Sequence, residues 1–155
     1  MNAHLRPLRE DEFVTWTAAA KAGYATSIEH DGGYSNEAAQ QKADADFEQL
    51  MPDGRVPEGH AVYLIEDGGA VAGRLWVAER DLDGDHVLFV YEVAVDEEAR
   101  GRGLGRLAME FAEDEARRRG LSRVALNVFG GNDPARGLYR SLGYREVAVW
   151  MAKEL

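Results

Sequence analysis

Residues 86–95 alternate as a strand that is apolar on both faces. They run directly into Asp96-Glu97-Glu98-Ala99-Arg100-Gly101-Arg102-Gly103-Leu104-Gly105 and then into an amphipathic helix. A strand covered on both sides belongs in the middle of a sheet, so this unit fixes the centre of a layered α/β fold. Alternation puts Val87, Phe89, Tyr91, Val93 and Val95 on one face, and Leu88, Val90 and Ala94, with Glu92 among them, on the other. The loop that follows carries glycines at alternating positions, which let a ligand approach the backbone. The helix it opens presents unpaired N–H groups and the positive end of its dipole. Arg100, Arg102 and Arg106 add positive charge to a chain that is otherwise acidic. An anion fits such a turn; the alternative is a strand-to-helix connection whose glycines only supply unusual dihedrals. The spacing is neither a P-loop Gly-Lys-Ser/Thr nor G-x-G-x-x-G. It is Arg-x-x-Gly-x-Gly, at Arg100, Gly103 and Gly105.

Around this centre, residues 4–9 form a short strand, and Asp11 and Glu12 start a helix that places Phe13, Thr17, Ala20 and Tyr24 on one face. Asp31-Gly32-Gly33 breaks the chain, and Ser35 caps a second helix with Ala39, Ala43, Phe47 and Leu50 on its buried side. Strands over 60–66, 70–79 and 86–95 follow as an antiparallel meander, turning at Asp67-Gly68-Gly69 and Asp83-Gly84. The helix after the loop buries Leu104, Leu107, Ala108 and Phe111 and closes at Gly120. A strand over 122–129, a short helix opened by Asn132-Asp133-Pro134 and ended by Gly143, and a final strand over 144–151 complete the order β-α-α-β-β-β-α-β-α-β.

With 155 residues, 45% of them hydrophobic, the chain has the size of one domain over residues 1–155. The absence of cysteine removes disulfides and thiolate chemistry. With no long apolar stretch, this implies a cytoplasmic protein that does not enter a membrane. A formal net charge of −10 opposes a nucleic-acid surface and suits a cationic or neutral substrate. His4, His30, His60 and His86 show no ligand spacing, so no metal is expected, and no nucleophile elbow surrounds any serine. Asp81, Asp83 and Asp85 fit a hairpin turn better than a calcium loop.

Glu92-Val93-Ala94-Val95-Asp96, Arg100 to Gly105, and then Asn132, Ala135, Leu138, Tyr139, Gly143 and Tyr144 together resemble the GNAT superfamily of acyl-CoA N-acyltransferases. The specific part of the resemblance covers residues 86–151; the first 80 or so match in layout. It implies a mixed α/β fold with a mostly antiparallel sheet of six to seven strands, splayed centrally and flanked by four helices. It also implies acetyl-CoA as donor: the backbone from Arg100 through Gly101, Arg102, Gly103, Leu104 and Gly105 to Arg106 holds the pyrophosphate. Val93, Ala94 and Val95 meet the pantetheine arm and thioester carbonyl, and Asn132 and Ala135 border the cofactor arm.

Tyr139, seven residues after Asn132, stands where many members hydrogen-bond or protonate the departing thiolate. Its alternative is a half-buried aromatic, and that of Asn132 is a helix cap. An attacking amine must lose a proton. One subgroup, the ribosomal-protein N-terminal acetyltransferases, uses a glutamate on the strand after the pyrophosphate helix; this chain has Asn127 at the matching position, so the base lies elsewhere. Glu92 is the candidate, because apolar neighbours raise a carboxyl pKa; it could equally be a structural partner of an arginine such as Arg74. Proton removal through a water chain would need no single base.

Trp16, Tyr24, Tyr34 and Trp76 could line an acceptor pocket or fill the core, and Glu29, His30 and Asp31 could attract a cationic amine. The sequence therefore points to an acyltransferase that passes acetyl directly to a primary amine of a small molecule or peptide. The alternative is a non-catalytic acyl-CoA-binding sensor or partner module. A homodimer stays open, because surface and interface apolar residues look alike in sequence.

Overall fold

The computed structural model describes residues 2–155. Its elements are β1 (His4–Pro7), α1 (Phe13–His30), α2 (Asn36–Leu50), β2 (His60–Asp67), β3 (Ala70–Leu82), β4 (Asp85–Val95), α3 (Leu104–Arg118), β5 (Val124–Leu126) and α4 (Asp133–Ser141). Single 3₁₀ turns at Glu10–Glu12 and Glu97–Ala99 lead into the chain's first helix and into the glycine loop. The strands form one sheet in sequence order, antiparallel from β1 to β4 and parallel between β4 and β5.

Both hairpins use two-residue turns, closing at Asp67↔Ala70 and Leu82↔Asp85. Helices α1 and α2 cover one face of the sheet. There Trp16, Ala20, Phe47 and Met51 pack on Val62, Leu64 and Trp76. Ser35 Oγ accepts from the Ala38 N–H at 3.2 Å, the expected cap, and Ala39, Ala43 and Phe47 form the buried side of α2. On α1 the fully buried residues are Trp16, Ala20, Ala25 and Ile28, so the buried stripe is rotated from the expected one. Phe13 and Tyr24 pack at its margin.

Helix α3 covers the other face, burying Leu104, Ala108, Met109, Ala112 and Ala116 against Leu75, Val77, Leu88 and Val90. Truncating a fully buried residue such as Leu104 would cost about 2–5 kcal/mol.

Three expectations are corrected. The sheet has five strands, not six to seven. The expected strand over 122–129 is reduced to Val124–Leu126, and the expected strand over 144–151 is absent among the described residues. Alternation alone predicts strands in both places, but a strand also requires a ladder partner, and neither the stretch past Leu126 nor residues 145–151 have one among the described residues. Finally, the faces of β4 do not run unchanged from end to end. The register steps from Trp76↔Glu92 to Val77↔Val90, which leaves Tyr91 as a bulged extra residue. One extra residue reverses the parity of everything beyond it. Val93 and Val95 accordingly join Leu88 and Val90 on the α3 face, while Tyr91 packs toward α1 and α2.

No helix among the described residues is long and apolar enough to cross a membrane.

Candidate active site

The bulge at Tyr91 also explains how the sheet opens. β5 pairs with β4 only at Leu88↔Val124, Phe89↔Ala125 and Val90↔Leu126, and the pairing ends where the bulge begins. A bulge bends its strand and increases the local twist, so the last part of β4 turns away from the course of β5. The Asp96 N–H donates to Ala72 O on β3 at 2.9 Å. Backbone groups alternate in direction along a strand, so Ala94 and Glu92 also face β3, and Val93 and Val95 face the open side. Val95 O accepts from Arg100 Nε at 3.3 Å, which ties the start of the loop to the end of the strand.

The loop itself is exposed from Arg100 to Gly103, and Leu104 then plugs the core. Gly101 and Gly103 both have φ of +78°, a left-handed conformation that glycine alone adopts without strain. Nothing lies within 4 Å of where a Cβ would stand on either, so these two glycines serve the backbone's path and its accessibility. The first backbone bond of α3 runs from Leu107 N–H to Gly103 O, so the N–H groups ahead of it point out of the helix end without an intrahelical acceptor. That end is a fitting cradle for phosphate oxygens.

Arg102 is held at the side of the loop by Asp67 Oδ2 and Glu98 O, both at 3.1 Å. Arg106 Nη2 donates to Ser141 Oγ on α4 at 2.6 Å. At Gly105 a Cβ would stand 3.2 Å from Leu138 Cδ2, so the missing side chain lets α3 and α4 approach.

On α4, Asn132 is the cap: its Oδ1 accepts from the Ala135 N–H at 3.3 Å. Tyr139 is half-buried, with its ring 5.9 Å from that of Tyr144, and burial alone pushes its phenol above the ordinary value. At neutral pH it carries its proton, as any phenol does.

Glu92 lies beneath α1, paired with Arg74: Arg74 Nε donates to Glu92 Oε1 at 2.9 Å, and Nη2 donates to Ala19 O at 3.2 Å. Burial pushes the Glu92 carboxyl up and Arg74 pulls it down, and the balance is upward. A Cβ on Gly23 would stand 2.9 Å from Arg74 Nη2, so the absence of a side chain there makes room for the pair. Nothing in the sequence pattern marked Gly23, because its effect depends on α1 crossing β3 and β4.

The aromatic candidates separate. Trp16 and Trp76 are core, 5.4 Å apart edge to face, and Tyr24 donates to Asp46 Oδ2 at 2.7 Å. Tyr34 is exposed in the connection between α1 and α2. Trp76 Nε1 donates to His60 Nδ1 at 2.9 Å, which places the proton of the neutral imidazole on Nε2, and burial lowers its pKa. A cleft of about 310 Å³ lies at the other end of α1, between Asp11, Thr15 and Trp16 on one side and Val71, Arg74 and Asp96 on the other. At the α1–α2 break, Glu29 accepts from Asn36, and Asp31 accepts from or pairs with His30, so neither carboxylate is free of a partner. Gly32 sits so close to the Phe129 ring that a Cβ would stand 3.3 Å from it, which brings the end of α1 to the loop after β5.

A sheet that opens beside a free helix end has room for an extended, phosphate-bearing molecule between its strands. The chain belongs to the acetyltransferase (GNAT) family, whose model matches residues 16–144. It is 30% identical to the uncharacterized N-acetyltransferase YdgE of Bacillus subtilis (strain 168) over 97% of both chains. It is 29% identical to YycN of the same organism over the full length of both. The crystal structure of Bacillus subtilis YycN superposes with a TM-score of 0.89 over 99% of both chains. AAC(6')-Iy, solved with the bisubstrate analogue CoA-S-monomethyl-acetylneamine, shares the fold at a TM-score of 0.68 and 15% identity, covering the whole of both chains. Family members use acetyl-CoA as cosubstrate.

Proposed function

We propose that residues 1–155 act as one cytoplasmic domain that transfers the acetyl group of acetyl-CoA directly to a primary amine of a small molecule or peptide. The observation that carries this reading is the open side of β4, where the backbone groups of Val93 and Val95 face away from β3 next to the free helix end of α3. In this reading the loop from Arg100 to Arg106 binds the pyrophosphate. Val93, Ala94 and Val95 align the pantetheine arm, and Asn132 and Ala135 shape the start of α4 beside it. Acetyl-CoA supplies the activated acetyl group.

Forming the amide releases one proton from the amine, and the departing sulfur requires one. Tyr139, a neutral phenol at physiological pH, donates to the sulfur. Glu92, whose pKa burial raises, accepts the amine's proton, and Arg74 fixes its orientation. The chain has no cysteine, so an acetyl-cysteine intermediate has no place in this scheme. Tyr24 and Tyr34 are offered as acceptor-side residues, with Trp16 and Trp76 supporting them from the core.

The test is calorimetric titration with acetyl-CoA followed by an amine panel monitored through thiol release. Tyr139→Phe and Glu92→Gln should bind acetyl-CoA normally and lose about 10²–10⁴-fold in turnover. Unchanged turnover in both variants would refute these roles. Binding without thiol release for any amine would return the reading to an acyl-CoA-binding module.

A further inference from the structure

We propose that the cleft between the start of α1 and the first half of β3 is a second binding site, which takes a small organic ammonium with an apolar body and one hydrogen-bond-accepting oxygen. The proposal stands apart from acetyl transfer, because the cleft is separate from both sides of the candidate active site. Its walls come from the Glu10–Glu12 turn, α1, β2, β3 and Asp96. The candidate donor opening lies across β4, toward β5, and Tyr34 of the proposed acceptor side stands beyond the opposite end of α1.

At about 310 Å³ the cleft falls at the lower end of the range for small-molecule pockets, roughly 300–1,000 Å³, and has the volume of on the order of ten waters. Its inner wall is apolar. Trp16 and Leu64 line it from the core, and Val71 beside them is left 48% exposed. Trp16 is only 3% exposed, yet its indole N–H meets no acceptor among the described residues, whereas the indole N–H of Trp76 is satisfied by His60. Buried donors are nearly always paired in a native fold, so an unpaired one on a side chain that lines a ligand-sized cleft points to an acceptor supplied from outside the chain.

The charge around the cleft is unbalanced. Glu12 is taken up by Arg6 at 2.8 Å and Arg9 at 3.0 Å. Arg74 is taken up by Glu92 at 2.9 Å and Ala19 O at 3.2 Å, and it reaches Asp96 only at 3.8 Å. The Asp96 side chain is 44% exposed, and Asp11, on the opposite wall, meets no cation among the described residues. Two carboxylates facing one cleft favour a cation between them, and the net charge of −10 draws cations toward the chain. An inorganic cation would leave the apolar wall uncovered and bring no acceptor to Trp16. An organic ammonium with a carbonyl or hydroxyl oxygen meets all three features.

The experiment uses the full chain without acetyl-CoA, so its outcome is independent of the acetyl-transfer reading. The probe is L-leucinamide, at about pH 6.5, where its α-ammonium is charged. Two relatives each lack one feature: 4-methylpentanamide has no ammonium, and isopentylamine has no carboxamide. Calorimetry should show one leucinamide bound per chain, with 4-methylpentanamide at least about tenfold weaker. In ¹⁵N spectra the Trp16 indole N–H, assigned by its absence in Trp16→Phe, should move downfield with leucinamide and stay in place with isopentylamine. Asp11→Asn and Asp96→Asn should each weaken leucinamide binding by about five- to tenfold, and Ala19→Leu, which fills the cleft from α1, should abolish it, all with unchanged circular dichroism. Absence of binding at millimolar leucinamide would overturn the proposal. So would equal binding of the uncharged amide, an unmoved Trp16 indole, or full binding to Asp11→Asn and Ala19→Leu.

Discussion

Replacing Arg74 with Met is the sharpest test of how the centre of the molecule is held. Arg74 and Glu92 side chains are 13% and 16% exposed, and they meet at 2.9 Å beneath α1. Met fills most of the apolar stem's space but leaves the Glu92 carboxylate without a cation. Removing one member of a buried pair costs roughly 3–5 kcal/mol, and the remaining exposure puts this pair near the lower end, at about 3 kcal/mol at neutral pH.

The penalty must depend on pH. Burial already lifts Glu92 above its ordinary value, and Arg74 supplies both opposing causes, by charge and by hydrogen bond. Without Arg74 the folded-state pKa rises further. A carboxyl whose pKa is higher folded than unfolded stabilises the fold at low pH, and that contribution is lost as pH rises through the folded value. The cost of Arg74→Met should therefore be largest near neutrality and shrink toward about pH 5. Urea unfolding at about pH 5 and about pH 8 reads both numbers. The double variant Arg74→Met, Glu92→Leu should recover most of the loss, since it leaves no buried charge. A single-variant cost below about 1 kcal/mol, equal at the two pH values, would place the pair with weak surface bridges and refute the reasoning.

Three further outcomes are expected. In Gly73→Ala the new Cβ would meet Ala94 O at 2.4 Å and Ile65 Cδ1 at 2.9 Å, so β3 and β4 must part where the candidate donor site lies. Chemical denaturation should show a loss of about 1–3 kcal/mol, accompanied by weaker acetyl-CoA binding in calorimetry. Gly103→Ala meets no atom but must hold a φ of +78°, so it should cost roughly 1–2 kcal/mol and weaken acetyl-CoA binding without altering the core; unchanged stability would mean the loop relaxes freely. Glu12 is held at about 2 by Arg6 and the Arg9 N–H. Its lowered pKa stabilises the fold above the ordinary carboxyl value and is lost as pH falls from there toward about 2, so Glu12→Gln should flatten stability across that acid window in a pH series of thermal melts.

Much of the centre was legible because its signals are local. The turns at residues 68–69 and 83–84, the Ser35 and Asn132 caps, and the buried faces of α2 and α3 each follow from a few neighbouring residues. The glycine loop belongs to the same class: positive φ at Gly101 and Gly103 and an open helix end are set by the residues that carry them. The bulge at Tyr91 was not legible, since inserting one unpaired residue is decided by how β3 and β4 fit together. It reversed the faces assigned to Val93 and Val95. The positions of the tryptophans were likewise decided by packing, which placed Trp16 and Trp76 in the core between sheet and helices.

By itself, then, the sequence determined the order of elements up to α4, the strand–loop–helix unit with its glycine turn, and the family to which these motifs point. Tertiary structure decided which backbone groups of β4 are left open, that Glu92 is paired with Arg74 under Gly23, and that residues 145–155 make no backbone–backbone hydrogen bond among the described residues. The division is physical. Turn, cap and helix-end geometry depend on dihedrals and on groups a few residues apart, whereas strand pairing, bulges and buried ion pairs depend on groups far apart in the chain.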